Sequence, residues 1–118
     1  MLNTIRDKLE SLDLGPVEYG RAKNNPNLWN YVVFARRNMS RAGKSRNDYN
    51  RYYTVVIVHE DYIPEGTEIE VINALTSIPG LHHAQDDIQY DYTVKRNSDT
   101  IVEMAVMTFY EAVKGYEV

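Results

Sequence analysis

The chain has 118 residues, a formal net charge of −4 and no cysteine. This length is typical of one domain, and we expect a single domain over residues 1–118. Disulfide bonds and thiolate metal sites are excluded within these residues. No stretch approaches the roughly 20 apolar residues of a membrane-spanning helix. The charged N-terminal segment MLNTIRDKLESLDLG also lacks the apolar centre of a signal peptide, so we expect the protein to be made in the cytoplasm.

The charge is unevenly distributed. Between Arg36 and Arg51 the chain carries a net charge of +5, and the remainder carries −9. A basic segment on an acidic body favours docking on an acidic protein surface, including that of another copy. Contact with nucleic-acid phosphates, or a solvated loop without a partner, are the alternatives. The predicted partner-binding residues are Arg36, Arg37, Arg41, Lys44, Arg46, Tyr49 and Arg51.

The first half of the chain predicts one helix and a long hairpin. Apolar residues at Leu2, Ile5, Leu9 and Leu12 form one stripe of an amphipathic helix, which Gly15-Pro16 ends. A short strand follows at residues 17–19, before a turn at residues 20–27. Aromatic and β-branched residues then predict strands over residues 28–37 and 51–62. The polar residues 38–50 between them, which lack periodicity, predict a long loop.

The second half predicts a helix and a second hairpin. The helix opens at Pro64-Glu65-Gly66 and stops at Pro79-Gly80. Its predicted buried stripe consists of Ile69, Val71, Ile72, Leu75 and Ile78. Alternation over residues 88–95 predicts a half-buried strand, and residues 100–113 predict a long final strand. The fold class is therefore α+β, a mainly antiparallel sheet of about four main strands with two helices packed on one face.

Two of the predicted strands are apolar on both faces. Val55 and Ile57 point to one side of the sheet, and Val56 and Val58 point to the other. The last strand repeats this pattern, and two helices cover only one face. We therefore expect a homo-oligomer, because large apolar patches mark interfaces. The alternative is a twisted sheet that hides its second face within one chain. The predicted interface residues are Val56, Val58, Val102, Met104 and Val106, or their opposite partners.

The sequence offers little support for catalysis. No nucleophile motif, phosphate-binding loop or dinucleotide-binding motif is present. Two clusters, His59-Glu60-Asp61 and His82-His83 with Asp86-Asp87, could meet as a metal site with nitrogen and oxygen ligands. Adjacent strand residues point to opposite faces, however, and we interpret residues 82–87 as an exposed polar loop. We predict no catalytic, cofactor-binding or metal-binding residue and no cofactor.

The order of elements resembles the tail terminator and tail-to-head joining proteins of long-tailed bacteriophages, including small minor capsid proteins of that class. The stretches that carry the resemblance are TVVIVHEDYIPEGTEIEVINAL, within residues 53–78, and IQYDYTVKRNSDTIVEMAVMTFYEAVK. The resemblance covers essentially the whole chain. It implies a six-membered ring with a central channel, located in the virion at the junction of head and tail.

The resemblance also implies partners. A ring of this class ends growth of the tail tube, contacts the tail-tube protein and the head connector, and has no enzymatic activity. The basic segment would be its extended loop, and DNA would pass only through the channel. Two alternatives from other classes stay open: a nucleic-acid-binding module that uses residues 36–51, and a small metal-dependent enzyme that uses the His and Asp clusters.

Overall fold

The computed structural model describes residues 1–22, 29–42 and 48–114. These residues form two helices and six strands, which confirms the α+β class. No helix in the described ranges is long and apolar enough to cross a membrane. In chain order the elements are α1 (Leu2–Glu10), β1 (Val17–Tyr19), β2 (Tyr31–Arg41), β3 (Tyr49–Glu60), α2 (Thr67–Thr76), β4 (Leu81–His83), β5 (Gln89–Val94) and β6 (Ile101–Val113).

All six strands belong to one mixed sheet with the order β1-β2-β3-β6-β4. β5 also pairs with β6, beside residues 101–106, whereas β4 lies beside residues 109–111. The pair β1–β2 is parallel and every other pair is antiparallel. The predicted sheet of about four main strands is close, and the short strands β1 and β4 complete it.

The hairpin strands are longer than the sequence suggests: the predicted loop over residues 38–50 is wrong for residues 38–41 and 49–50, and its residues 43–47 lie outside the described part of the chain. β2 continues to Arg41 and β3 begins at Tyr49, with a β-bulge between Arg36 and Asn38. The polar composition of this segment reflects exposed strands, because every residue of β2 from Arg36 onward is exposed. Backbone pairing with β3, which is itself paired with β6, stabilises these strands without apolar alternation. Lys44 and Arg46 lie outside the described residues.

The core lies between one face of the sheet and both helices. Val32, Val55, Ile57 and Met107 contribute from the sheet and are at most 2% exposed. Ile5, Leu9, Val71 and Leu75 contribute from the helices and are fully buried. Burial of each such side chain stabilises the fold by about 1.5–3 kcal/mol. The expectation that both helices pack on one face is therefore confirmed.

Helix α2 buries a narrower stripe than the sequence predicts. Val71, Leu75 and Ile78 are buried, whereas Ile69 is 58% exposed. Residues two apart on a helix project about 200° from one another, so Ile69 and Val71 cannot face the same core. The helix begins at Thr67, whose Oγ1 donates a hydrogen bond to the Pro64 carbonyl at 2.7 Å.

Two further expectations from the second half are wrong. All six residues of β5 are exposed, although their alternation predicts a half-buried strand. β5 lies at the sheet edge, where no described strand covers its outer side. Of residues 82–87, interpreted as an exposed loop, His82 and His83 belong instead to β4, which begins at Leu81, a residue only 1% exposed. One buried leucine and backbone pairing with β6 hold this short strand.

Gly15 allows a close approach between the segment after α1 and the start of β2. Its φ is +103°, and a Cβ there would lie 2.1 Å from the Asn30 carbonyl oxygen. Gly80 has a φ of +85° but open space around the Cβ position.

We expect Gly80→Ala to lower the free energy of unfolding by about 1 kcal/mol and Gly15→Ala by about 3 kcal/mol, measured by urea denaturation. Equal losses would show that the close approach is unimportant.

Candidate functional site

The sheet face opposite the helices, called here the second face, carries an apolar row across its three longest strands. The β-sheet register aligns Tyr31 with Val58 and Met104, and it aligns Val33 with Val56 and Val106. Of these six residues, all but Val58 are half-buried. Neither helix packs on this side of the sheet. The term "apolar row" is used below for Tyr31, Val33, Val56, Met104 and Val106.

Two of the predicted interface residues are already buried inside the chain. Val58 is 4% exposed and Val102 is fully buried. Val102 lies in register between Glu60 of β3 and Thr93 of β5. Lys95 Nζ contacts Glu60 Oε1 at 2.7 Å, so this ion pair spans the strand that carries Val102. The accessible part of the predicted interface is therefore Val56, Met104 and Val106.

Arg37 marks the end of the apolar row. This residue is the extra residue of the β-bulge, and its Nη1 donates a hydrogen bond to Thr108 Oγ1 at 3.1 Å. The same nitrogen lies 3.5 Å from Asp86 Oδ2. Beyond Arg37 the second face carries aromatic side chains. The centre of the Tyr110 ring lies 5.7 Å from that of Tyr52 and 5.2 Å from that of His82. Arg37 thus already has partners within its own chain.

The other described basic residues project from the helix side of the long hairpin. In the register of the hairpin, Arg36 is opposite Tyr53, Met39 is opposite Arg51, and Arg41 is opposite Tyr49. These residues therefore lie on the same face of the sheet as the buried Tyr53. The Arg41 guanidinium lies 5.9 Å from the centre of the Tyr49 ring. Arg36 and Arg41 are exposed. The term "basic face" is used below for Arg36, Met39, Arg41, Tyr49 and Arg51.

A buried tyrosine anchors the basic face to the core. Tyr53 is 3% exposed, and its hydroxyl donates a 2.6 Å hydrogen bond to Glu111 Oε1 of β6. Arg51 Nη1 lies 3.9 Å from the same oxygen. Burial of the phenol raises the pKa of Tyr53, and its hydrogen bond to the Glu111 carboxylate raises that pKa further. This hydrogen bond links the side chains of β3 and β6 next to Arg51.

The two histidine clusters do not meet. His59 pairs with Glu103 of β6, and His82 pairs with Tyr110 of the same strand. These positions are seven residues apart on β6, or roughly 23 Å at the rise of a β-strand. No group of three His, Cys, Asp or Glu side chains in the described ranges could hold a metal ion. His83 instead lies against Phe109, with ring centres 5.3 Å apart.

An exposed apolar patch, which was not predicted from the sequence, surrounds β5 and is called here the β5 patch. Its members are large apolar residues that are 44% to 68% exposed: Tyr62, Ile69, Tyr90, Tyr92, Val94 and Ile101. Tyr90 donates a 2.6 Å hydrogen bond to Glu68 Oε2 of α2, which raises the pKa of this tyrosine to about 12. The sequence signal for this patch was tyrosine at alternate positions of β5, because tyrosine combines an apolar ring with a polar hydroxyl and suits partly hydrated surfaces.

No protein-family model matches this chain, and no curated protein matches it. One solved structure, whose name describes no activity, aligns with 94% of this chain and 95% of its own chain. The two sequences are 16% identical over the alignment, and the TM-score is 0.38. A likeness of this strength carries no argument about function, so the proposals below rest on the chemistry of the residues.

The Tyr53–Glu111 hydrogen bond gives a test of this anchor. We expect Tyr53→Phe to lower the free energy of unfolding by about 1–2 kcal/mol, because the Glu111 carboxylate loses its short donor. The fold raises the pKa of Tyr53 above the ordinary tyrosine value of about 10, so its contribution is fully present below that pH and decreases as the pH rises further. The difference between wild type and Tyr53→Phe should therefore shrink above pH 10.

Urea denaturation across a pH series measures this difference. Tyr62→Phe is the matched control, because Tyr62 is 68% exposed and should change stability by less than about 0.5 kcal/mol. A difference that stays constant above pH 10 would show that Tyr53 is not held in its neutral form by the fold.

Proposed function

We propose that this protein is a structural virion assembly protein. In this proposal it forms a ring at the head-proximal end of a phage tail, ends growth of the tail tube and joins the tail to the head connector. The observation that carries the proposal is the apolar row on the second face of the sheet. The proposal assigns no catalytic residue and no cofactor to the chain.

The apolar row supports assembly because it has no cover from either helix. Its five members come from three neighbouring strands, so they form one continuous surface and not scattered positions. Contiguous apolar surface on a soluble protein marks an interaction site. Burial of this surface against another subunit or a tail protein would remove the half-exposed faces of Val56, Met104 and Val106 from water.

The shape of the chain supports a role as a connector. The radius of gyration is 15.5 Å, whereas a compact domain of this length has about 13.5 Å. Strands of 11, 12 and 13 residues account for the elongation to 51 Å. The basic face lies on the hairpin strands beyond Phe34. There it could reach an acidic surface on a tail-tube subunit or on a neighbouring copy.

A second candidate function, nucleic-acid binding, is favoured by one observation. Arg36, Arg41 and Arg51 share a face with Tyr49, an arrangement suited to phosphate contact and base stacking. Its affinity for a single-stranded oligonucleotide would fall steeply with salt, because counterion release drives such binding. The net charge of −4 opposes it, so we expect no measurable binding by fluorescence anisotropy at physiological salt.

The first test of the ring is absolute mass. We expect light scattering after size exclusion to give a discrete assembly of six 13.7 kDa chains, reached as protein concentration rises. The assembly should be favoured at low salt, since charge attraction between surfaces is screened by salt. A monomer at every concentration and at both low and high salt would contradict the proposal.

The role of the basic face has its own test. We expect Arg36→Glu with Arg41→Glu to weaken assembly at least tenfold, because reversal replaces attraction by repulsion. Lys8→Glu with Arg96→Glu changes the net charge equally, outside the basic face, and should assemble normally. Sedimentation velocity measures the assembled fraction, and circular dichroism confirms that each variant is folded. Equal behaviour of the two variants would remove the docking role of Arg36 and Arg41.

A further inference from the structure

We propose that copies of this chain join head to tail by strand addition. The outer edge of β5 in one copy pairs with the outer edge of β2 in the next copy. This inference rests on the proposed ring and names the surfaces that close it. Both surfaces lie at the two ends of the strand path β2-β3-β6-β5.

The β5 edge has the properties of an unfilled strand site. No described strand pairs with its outer side, and all six of its residues are exposed. The Tyr92 N–H donates to the neighbouring Asp91 Oδ1 at 2.9 Å, and a carbonyl of an added strand would replace that carboxylate. The strand contains no proline and no lysine, which commonly protect an edge strand. Tyr90, Tyr92 and Val94 project from one of its faces and are 45%, 57% and 50% exposed. Backbone groups along the edge therefore lie beside a continuous apolar surface that another strand would cover.

The β2 edge offers a matching segment. β1 pairs only with residues 32–34 of β2, so no described strand covers the outer edge from Arg36 to Arg41. This segment has six residues, as β5 does. Met39 is 47% exposed and lies between Arg36 and Arg41 on the helix side. Met39 gives the β2 edge an apolar contact for the tyrosines of the β5 patch.

Charge determines which edges can pair. On the helix side of β5, the carboxylates of Glu68 and Glu103 accept hydrogen bonds from Tyr90 and Tyr92. Arg36 and Arg41 project from the helix side of the β2 edge. Pairing of β5 with β5 would bring carboxylates together, and pairing of β2 with β2 would bring guanidinium groups together. Like charges placed opposite each other cost several kcal/mol in the wrong pairing. Only the heterologous pairing of β5 with β2 joins opposite charges.

The arrangement also accounts for ring closure. A contact between two different edges is head-to-tail, so each copy keeps one acidic edge and one basic edge for its neighbours. Repetition of such a contact by a fixed rotation closes a ring when the rotations sum to a full turn. The cumulative twist of a continuous sheet supplies a rotation at each step.

Thiol crosslinking tests the pairing directly, because the chain contains no cysteine of its own. Thr93→Cys places a thiol on β5, and Ser40→Cys places one on β2; both side chains are exposed. A bifunctional thiol reagent with a flexible spacer tolerates a small difference in register. We expect the variant with both cysteines to form a covalent ladder that extends beyond the dimer, and each single-cysteine variant to stay a monomer on denaturing gels.

Every other crosslinking result overturns this inference. A dimer from Thr93→Cys alone would show pairing of β5 with β5, and a dimer from Ser40→Cys alone would show pairing of β2 with β2. A hexamer by light scattering without a covalent ladder would mean that another surface closes the ring, and the proposed function would stand. A monomer in light scattering with no ladder would contradict both the inference and the proposed function.

Charge exchange provides an independent readout. Glu68→Lys should weaken assembly at least tenfold, as should Arg36→Glu with Arg41→Glu, because all three residues lie on the helix side of the two edges. The variant with all three changes restores opposite charges between the edges, and we expect its assembled fraction in sedimentation velocity to return close to that of wild type. Losses that simply accumulate in the threefold variant would show that these two edges do not face each other.

Discussion

The pairing of β3 with β6 is the interaction on which the rest of the structure depends. Twelve residue pairs join these strands without interruption, from Tyr49–Val113 to Glu60–Val102. The other strands are attached to this pair directly or through a neighbour: β2, which carries β1, pairs with the free side of β3, and β4 and β5 pair with the free side of β6. In a ladder without a bulge, such as β3–β6, one fixed pair determines the register over the whole length. The pairing of β3 with β6 therefore determines which side chains contact the helices and which form the apolar row.

This constraint explains why two strands with similar composition on both faces still have one core face. Val55 and Ile57 meet α1 and α2, while Val56 faces away, and a shift of one residue would exchange them. The Tyr53–Glu111 hydrogen bond lies across the same ladder and would be lost in a shifted register. A buried phenol with a carboxylate partner thus adds specificity to strands whose apolar residues alone are nearly symmetric.

The elements with strong apolar periodicity could be predicted from the sequence, because burial produces that periodicity. α1 and the long strands β3 and β6 are examples, and the doubly apolar pattern of β3 and β6 correctly indicated a second apolar face. The distal half of β2 could not be predicted, since backbone pairing and not burial holds Asn38, Ser40 and Arg41. The predicted burial of β5 was wrong for the opposite reason. Its apolar and polar residues do alternate, but its position at the sheet edge leaves both faces of the strand exposed to water. The burial of Val102 could not be predicted either, because it lies between Glu60 and Thr93, which only the fold brings to the two sides of this residue.

The bulge at Arg37 changes which side of the hairpin each later residue faces. Arg36 and Arg41 are separated by an odd number of positions, so an unbroken strand would place them on opposite faces. The one additional residue brings Arg36, Met39 and Arg41 to the same side, continuous with the core residues Val32 and Phe34. Substitutions of charged residues after the bulge would therefore leave the packing of Val32 and Phe34 before it unchanged. Loss or gain of one residue here would turn Met39 and Arg41 to the other side of the sheet and leave Arg36 in place. The length of this segment is therefore constrained more strictly than its composition.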